Sequence, residues 1–437
     1  MAAAAFQAAL ADRGKDRAVG RSHHAILFCM RLLLGFLLLI APAFGEGIPR
    51  AEYQARRTQL HKTLDGVLVL FAKADDDLRD YIQEPNFLYL TGWRDPGAVL
   101  MMTANEEILF LPPRNRTSEI FYGRVTDPND KDVFEKTGFN AVLPRSAVET
   151  TFLRLLETSP KVYGVRGEVQ LEKLMGLAPL HEQGNATQLI AKLREHKSPA
   201  ELALIQRASD ATVAAHLAAW HAMKAGKSEY EIAAVMTNTY FSLGCERSAY
   251  APIVGSGPNS VILHYSANKR RMDAGEVVVM DVGAECSDYA TDVTRTVPVN
   301  GKFSARQREI YEIVLGAQKA AIAAVKPGVK AGRGGTLQQV AFDYINTHGK
   351  DSHGEPLGKY FTHGLSHHVG LDVHDPAEPG IELTAGMVIT IEPGIYIPEE
   401  NIGVRIEDTI LVTDNGCKIL SGGLPKEVEE IERLVGK

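Results

Sequence analysis

The chain has 437 residues, room for two or three domains of about 150 residues each, with 45% apolar and 23% charged residues, as in ordinary globular proteins. That composition excludes a disordered, collagen-like or coiled-coil chain, and a formal charge of -7 argues against a sequence-independent nucleic-acid binder, which would be basic. Four cysteines, Cys29, Cys245, Cys286 and Cys417, lack CxxC spacing and argue against a disulfide scaffold or a cysteine-based zinc site.

Residues 1–45 have the three parts of a secretory signal. A basic start (Arg13, Lys15, Arg17, Arg21) precedes an apolar run from Leu32 to Ile40 and a small-residue exit, Ala41-Pro42-Ala43-Phe44-Gly45. The run is shorter than the roughly 20 residues that span a bilayer. Extending it back to Ala25 would bury Arg31, which weakens the competing reading of a membrane anchor. The pattern predicts export, periplasmic or secreted, and a cytoplasmic protein if the segment does not function. Met30 directly before the run offers a second start. Removing residues 1–45 takes away five basic and two acidic residues. It leaves 392 residues at a formal charge of -10 with three cysteines, so at least one thiol has no partner in the chain.

From 46 to 188 the pattern predicts an α/β domain. The apolar run 66–71 has strand length, and 87–93 reads as a strand ended by Gly92. Runs 98–102 and 108–111 flank Asn105 as a hairpin, 127–130 marks a turn, and 149–157 is helical. This region holds no cluster of metal-ligand residue types. Residues 188–226 are strongly helical, with a helix start at Ser198-Pro199-Ala200-Glu201, and place a domain boundary near 185–195. A second domain, 189–437, follows. It has helices at 228–243 and 304–325 and β-rich runs at 276–283, 289–299, 387–397 and 402–413.

The chemistry concentrates in this second domain, where seven of the chain's 14 histidines fall between His264 and His374. Asp281 interrupts the β-branched run Val277–Val282, where a charge is costly unless paired or metal-bound. Asp292 is expected on the next strand, so the two carboxylates are either strand-end turn caps or metal ligands. Glu392 ends the apolar run 388–391, and Glu407 lies in a second one, repeating the arrangement. Four buried carboxylates need cations, either two divalent metals or the guanidiniums of Arg295 and Arg405. In His363-Gly364-Leu365-Ser366-His367-His368-Val369-Gly370-Leu371-Asp372-Val373-His374-Asp375, the central His367 is the best ligand candidate. One imidazole with four carboxylates is a hard, oxygen-rich set that leans toward manganese.

The ordered set Asp281, Asp292, His367, Glu392 and Glu407 resembles the five-ligand signature of the pita-bread metallopeptidases of family M24. His264 in Ile262-Leu263-His264-Tyr265 and the run 363–375 are similar to Xaa-Pro aminopeptidases (aminopeptidase P) and to their relatives, the prolidases. Asn86–Gly97 with Phe121-Tyr122-Gly123-Arg124 resembles the aminopeptidase P N-terminal domain. The resemblance covers nearly everything after residue 48. It implies an α+β pita-bread catalytic domain holding two divalent metal ions, with Asp281 on one, Asp292 and Glu407 bridging, and His367 and Glu392 on the second. It implies a bridging water or hydroxide that attacks the carbonyl before proline, Glu392 as proton shuttle, and His264, His363 and His374 as substrate-binding and intermediate-stabilising groups. Tyr250, Tyr396 and Arg405 match positions that orient the ligands. Peptides with a penultimate proline are the implied substrates, no nucleic acid is involved, and a homo-oligomer, dimer or tetramer, is implied. His368 departs from the aromatic residue often found after the ligand histidine, which bears on the shape of a substrate subsite. The alternatives are a prolidase restricted to Xaa-Pro dipeptides and a non-catalytic peptide-binding domain, the latter opposed by the presence of all five ligands.

Overall fold

The computed structural model describes residues 47–74 and 81–437. The signal-like segment 1–45 lies outside them.

The first half is built on a six-stranded mixed sheet. Helix α1 (Arg50–His61) leads into β1 (Val67–Phe71), then come α2 (Pro85–Thr91) and the hairpin β2 (Val99–Met102) and β3 (Glu107–Leu111), paired antiparallel around Asn105 as expected. There follow α3 (Arg116–Tyr122), α4 (Val133–Thr137), β4 (Val142–Pro144), α5 (Val148–Leu156), β5 (Lys161–Gly164), α6 (Val169–Met175) and β6 (Glu182–Asn185). The sheet order is β4-β3-β2-β1-β5-β6. Strand β1 is buried along its whole length because each of its faces is covered. Leu68 and Leu70 pack with Phe87 and Leu90, while Val67, Val69 and Phe71 pack with Phe152 and Leu155.

The expected strand at 87–93 is instead helix α2, and local chemistry explains why. Glu84 caps it by accepting from the Phe87 N–H at 2.6 Å, Pro85 occupies the first turn, and Gly92 ends it at φ 66° with its N–H on the Leu88 carbonyl. Asn86–Thr91 are buried all round, so the helix has no polar face and leaves no 3.6-residue period in the sequence.

The helical stretch 188–226 resolves into α7 (Ala186–Arg194) and α8 (Pro199–Ala222), separated at Ser198. Ser198 and Glu201 form a reciprocal capping box, with Glu201 N–H donating to Ser198 Oγ at 3.2 Å and Ser198 N–H to Glu201 Oε2 at 2.9 Å. Helix α9 (Glu229–Ser242) follows, then strands β7 (Arg247–Ser248), β8 (Ile253–Ser256), β9 (Val277–Val282), β10 (Ala284–Cys286), β11 (Tyr289–Ala290) and β12 (Val293–Pro298). Helices α10 (Ala305–Ala323, capped by Ser304) and α11 (Thr336–His348) precede β13 (Val388–Ile391), β14 (Gly394–Ile397), β15 (Ile402–Arg405), β16 (Asp408–Thr413), β17 (Gly416–Ile419) and α12 (Val428–Leu434). The strands form small antiparallel sheets, β12-β9-β8, β13-β16-β17, β14-β15 and β11-β10-β7, under a core that includes Trp220, Tyr240 and Tyr311.

A buried ionic seam ties the two halves together. Arg194 donates to Asp375 (2.6 Å), Asp372 (2.7 Å) and Asn86 (3.1 Å), and Lys197 donates to Asp375 (3.0 Å). Arg56 lies 3.4 Å from Glu201, which also accepts from the Tyr289 hydroxyl at 3.0 Å. Cys245, just after α9, forms a disulfide with Cys286 at the end of β10, and among the described residues Cys417 is a free thiol.

Candidate metal centre

The five expected ligand residues line one cavity of about 220 Å³, together with His264, His363, His374 and Arg405. Asp281 stands in β9 opposite Thr294 of β12. Asp292 is not on β12, as expected from the pattern, but directly before it. Gly283 permits this: a Cβ there would collide with the Thr291 carbonyl, so only glycine lets the chain double back and bring Asp292 up to Asp281. Likewise Glu407 lies at the junction of β15 and β16 rather than inside a strand, and Glu392 directly follows β13. Leaving the ladder at these points turns the carboxylates toward the cavity.

One ligand atom each from Asp292, His367 and Glu407 lies within 4.8 Å of the others. His367 Nε2 is 3.4 Å from Asp292 Oδ2 and 3.6 Å from Glu392 Oε1. His367 Nδ1 donates to the His368 carbonyl at 3.0 Å, so Nε2 is the nitrogen turned toward the carboxylates and the one that would ligate a cation in exchange for its proton. The Tyr250 hydroxyl bridges Asp281 Oδ1 (2.6 Å) and Asp292 Oδ1.

Among the described residues, a guanidinium neutralises one of the four carboxylates. Arg405 pairs with Asp281, whereas Arg295 pairs with Asp408 instead. Burial alone would raise Asp281, yet the Arg405 charge holds it below the usual carboxylate range. The others move the opposite way. Burial and the Asp281 charge push Asp292 up to about 6. Burial pushes Glu392 up to about 7, and Glu407 is raised well above its ordinary value by burial and then by Asp292 and Glu392. His367 loses basicity to burial but regains more from its bond to Asp292 and the Glu392 charge, reaching about 9. Three mutually repelling carboxylates beside an imidazole whose Nε2 faces them are the donor set of a divalent cation site, and cations would reverse these shifts.

The remaining expected residues form a relay behind the ligands. Arg405 donates to the Tyr396 hydroxyl at 2.7 Å, and that hydroxyl lies 2.8 Å from His363 Nε2. His363 Nδ1 bonds the Gly364 carbonyl at 2.8 Å and must donate there, so Nε2 accepts from Tyr396. Burial, then the Arg405 charge, lowers His363 to about 4 and keeps it neutral. The His374 ring lies 4.1 Å from that of His367. His264 stands exposed at the mouth, shared with an adjoining cavity of about 320 Å³ lined by Tyr250, Ala251, Ile253 and Val373. His368 lines a different neighbouring cavity with Ile381 and Leu383, and not the metal cavity itself.

Three threonines at the site went unread in the sequence. Thr294 Oγ1 donates to Glu407 Oε2 (2.6 Å), Thr390 Oγ1 to Glu392 Oε1 (3.2 Å), and Thr409 Oγ1 bonds both the N–H (3.1 Å) and carbonyl (2.7 Å) of Asp292. Their one signal is position: Thr390 lies two residues before Glu392 and Thr409 two after Glu407.

Residues 203–414 match metallopeptidase family M24, and residues 53–163 match the aminopeptidase P N-terminal domain. The chain is 34% identical over 438 residues to the Xaa-Pro aminopeptidase of Haemophilus influenzae, covering 90% of this chain and 99% of that one. It is 34% identical over 365 residues to the Xaa-Pro dipeptidase of Pyrococcus furiosus, covering 81% and 96% respectively. It superposes on the Escherichia coli aminopeptidase P solved with the inhibitor Pro-Leu at a TM-score of 0.78 and 31% identity, covering 89% of this chain and 98% of that one.

Proposed function

The chain belongs to metallopeptidase family M24, with an aminopeptidase P N-terminal domain ahead of a pita-bread catalytic domain, and on that premise we propose that it releases the N-terminal residue from peptides with proline in second position. The observation that carries the proposal is the convergence of Asp281, Asp292, His367, Glu392 and Glu407 on one cavity, with three carboxylates left without a guanidinium among the described residues. Two divalent cations, most simply manganese given the oxygen-rich donors, would be held there and would supply Lewis acidity and a water acidic near neutral pH.

The chain's own groups do the rest. Glu392 lines the cavity and is the carboxylate placed to take a proton and return it within one cycle. Its Oε2 lies 3.6 Å from His363 Nδ1, and the Arg405–Tyr396–His363 relay fixes that imidazole as a neutral group beside the reacting carbonyl. His264 and His374 border both the ligand cavity and the 320 Å³ cavity, where they can donate to the substrate carbonyl or the developing oxyanion. Proline has no backbone N–H. A site that asks nothing of that N–H accepts the bond that peptidases requiring it refuse.

A prolidase is the second reading, favoured by the likeness to the Pyrococcus furiosus dipeptidase. Hydrolysis of Xaa-Pro and Xaa-Pro-Yaa peptides with and without manganese separates the two. Cleavage of tripeptides is expected, and activity confined to dipeptides would sink the first reading. Export is part of the proposal: the Cys245–Cys286 disulfide supports it, because such bonds persist in oxidising compartments. A homo-oligomer, dimer or tetramer, is the expected assembly, to be measured by light scattering.

A further inference from the structure

His264 reaches the cavity from residues 257–270, whose only regular structure is a short 3-10 turn at Gly257–Val261. Its exposed imidazole has no hydrogen-bond partner among the described residues, so the backbone on either side sets where the ring stands. That backbone is anchored on both flanks. The Leu263 carbonyl accepts from Arg405 at 3.4 Å, and the Tyr265 hydroxyl donates to Glu229 Oε2 at 2.8 Å.

Glu229 is the centre of this stretch. It is fully buried in the first turn of α9, where the helix N-terminus favours a negative charge. Its Oε1 accepts from Ser256 N–H (2.9 Å), Ser256 Oγ (2.7 Å) and Asn259 Nδ2 (3.0 Å). Its Oε2 accepts from Tyr265 and from Arg270 N–H (2.9 Å). The five donors come from the start, middle and end of residues 256–270. A segment without a ladder must satisfy its backbone groups by other means, and here one carboxylate takes two of the N–H groups and three side-chain donors.

We infer that Glu229 is a positioning residue: it folds residues 256–270 around its carboxylate and so holds His264 over the metal cavity. The inference rests on the reading of His264 as a substrate-binding group. The charge state matters as well as the shape. An amide at 229 would turn an NH2 group toward the N–H of Ser256 or of Arg270, and a backbone donor, unlike a hydroxyl, cannot reverse.

The test uses the metal-loaded full chain. In Glu229→Gln, amide hydrogen exchange across 256–270 should rise about tenfold while 277–299 stays protected. Its kcat/KM for an Xaa-Pro-Yaa peptide should fall about tenfold. Combined with His264→Ala, it should cost no more than His264→Ala alone, since both changes remove the same group from the site. Tyr265→Phe, which takes away one donor, should act in the same direction by about threefold and covers the case in which Glu229→Gln does not fold. Unchanged exchange, or losses that multiply in the double variant, would overturn the inference. If His264→Ala keeps full activity, the reading of His264 has failed, and the exchange data alone then decide for or against Glu229.

Discussion

At the scale of single residues, the site is an arrangement of charges that the protein alone barely tolerates. Asp292 carries a carboxyl raised to about 6 by burial and by Asp281, against about 3.9 in an unfolded chain. A carboxylate with a raised folded value costs stability progressively between those two values and in full above the higher one. Asp292→Asn should therefore stabilise the metal-free protein at pH 8 by roughly 1–3 kcal/mol, while activity and metal binding are lost. Thermal melts and titration calorimetry check both halves, and retained activity would refute the bridging role. His216 has the opposite sign. It is buried against the Val293 carbonyl at 3.1 Å, and burial, then the Arg295 charge, lowers it to about 3. Its contribution is present above about pH 6.5 and is lost as pH falls from there toward 3, at about 1.4 kcal/mol per pH unit. His216→Gln, which keeps the donor but cannot titrate, should flatten that limb of a denaturant-melt pH series. Asp281 was legible in the sequence because a charge inside a β-branched run is anomalous, and His367 because four histidines crowd into residues 363–374. Thr294, Thr390 and Thr409 were not, because threonine is at home in strands and raises no anomaly.

At the scale of elements, legibility followed period and caps. Strand β1, the β2–β3 hairpin and the capped helices α8 and α10 could be placed from pattern alone. Helix α2 could not, since its all-round burial erased the helical period and its end signals, Glu84-Pro85 and Gly92, had to be weighed above an aromatic run. The Cys245–Cys286 pairing was equally hidden. Nothing in a 41-residue separation marks these two sulfurs as neighbours until the turn that follows α9 is brought up to β10. The bond closes a loop that contains β7, β8, β9 and Asp281. Replacing both cysteines by alanine should cost about 2–4 kcal/mol, mainly by loosening the unfolded chain's constraint. A chemical-denaturation midpoint unchanged within error would show that the bond does not form.

At the scale of the whole molecule, metal and fold are linked through the same carboxylates. Manganese at 100 times its dissociation constant should stabilise the native state by about 2.7 kcal/mol per independent site. The stabilisation should vanish in Asp292→Asn, and differential scanning fluorimetry with and without the cation reads it directly. The seam between the halves places a second demand on the molecule. Arg56 and Arg194 lie before the α7–α8 break, and the acids they meet, Glu201, Asp372 and Asp375, lie after it, with nearly all of these groups buried. Cutting the chain before Ser198 would leave these acids without their cations, and removing one partner of a buried pair costs about 3–5 kcal/mol. Residues 198–437 expressed alone should therefore be insoluble, and a soluble, cooperatively melting product would contradict the role given to the seam.

That seam also constrains how such a chain can be shuffled. The loop that presents His367 and His374 to the cavity is held at Asp372 and Asp375 by cations that arrive from residues 194–197, on the far side of the α7–α8 break. A chimera that joins the first half of one relative to the second half of another inherits a working metal pocket only if the crossover carries Arg194 and Lys197 together with the acids they serve. Recombination here has a permitted joint and a forbidden one, a few residues apart.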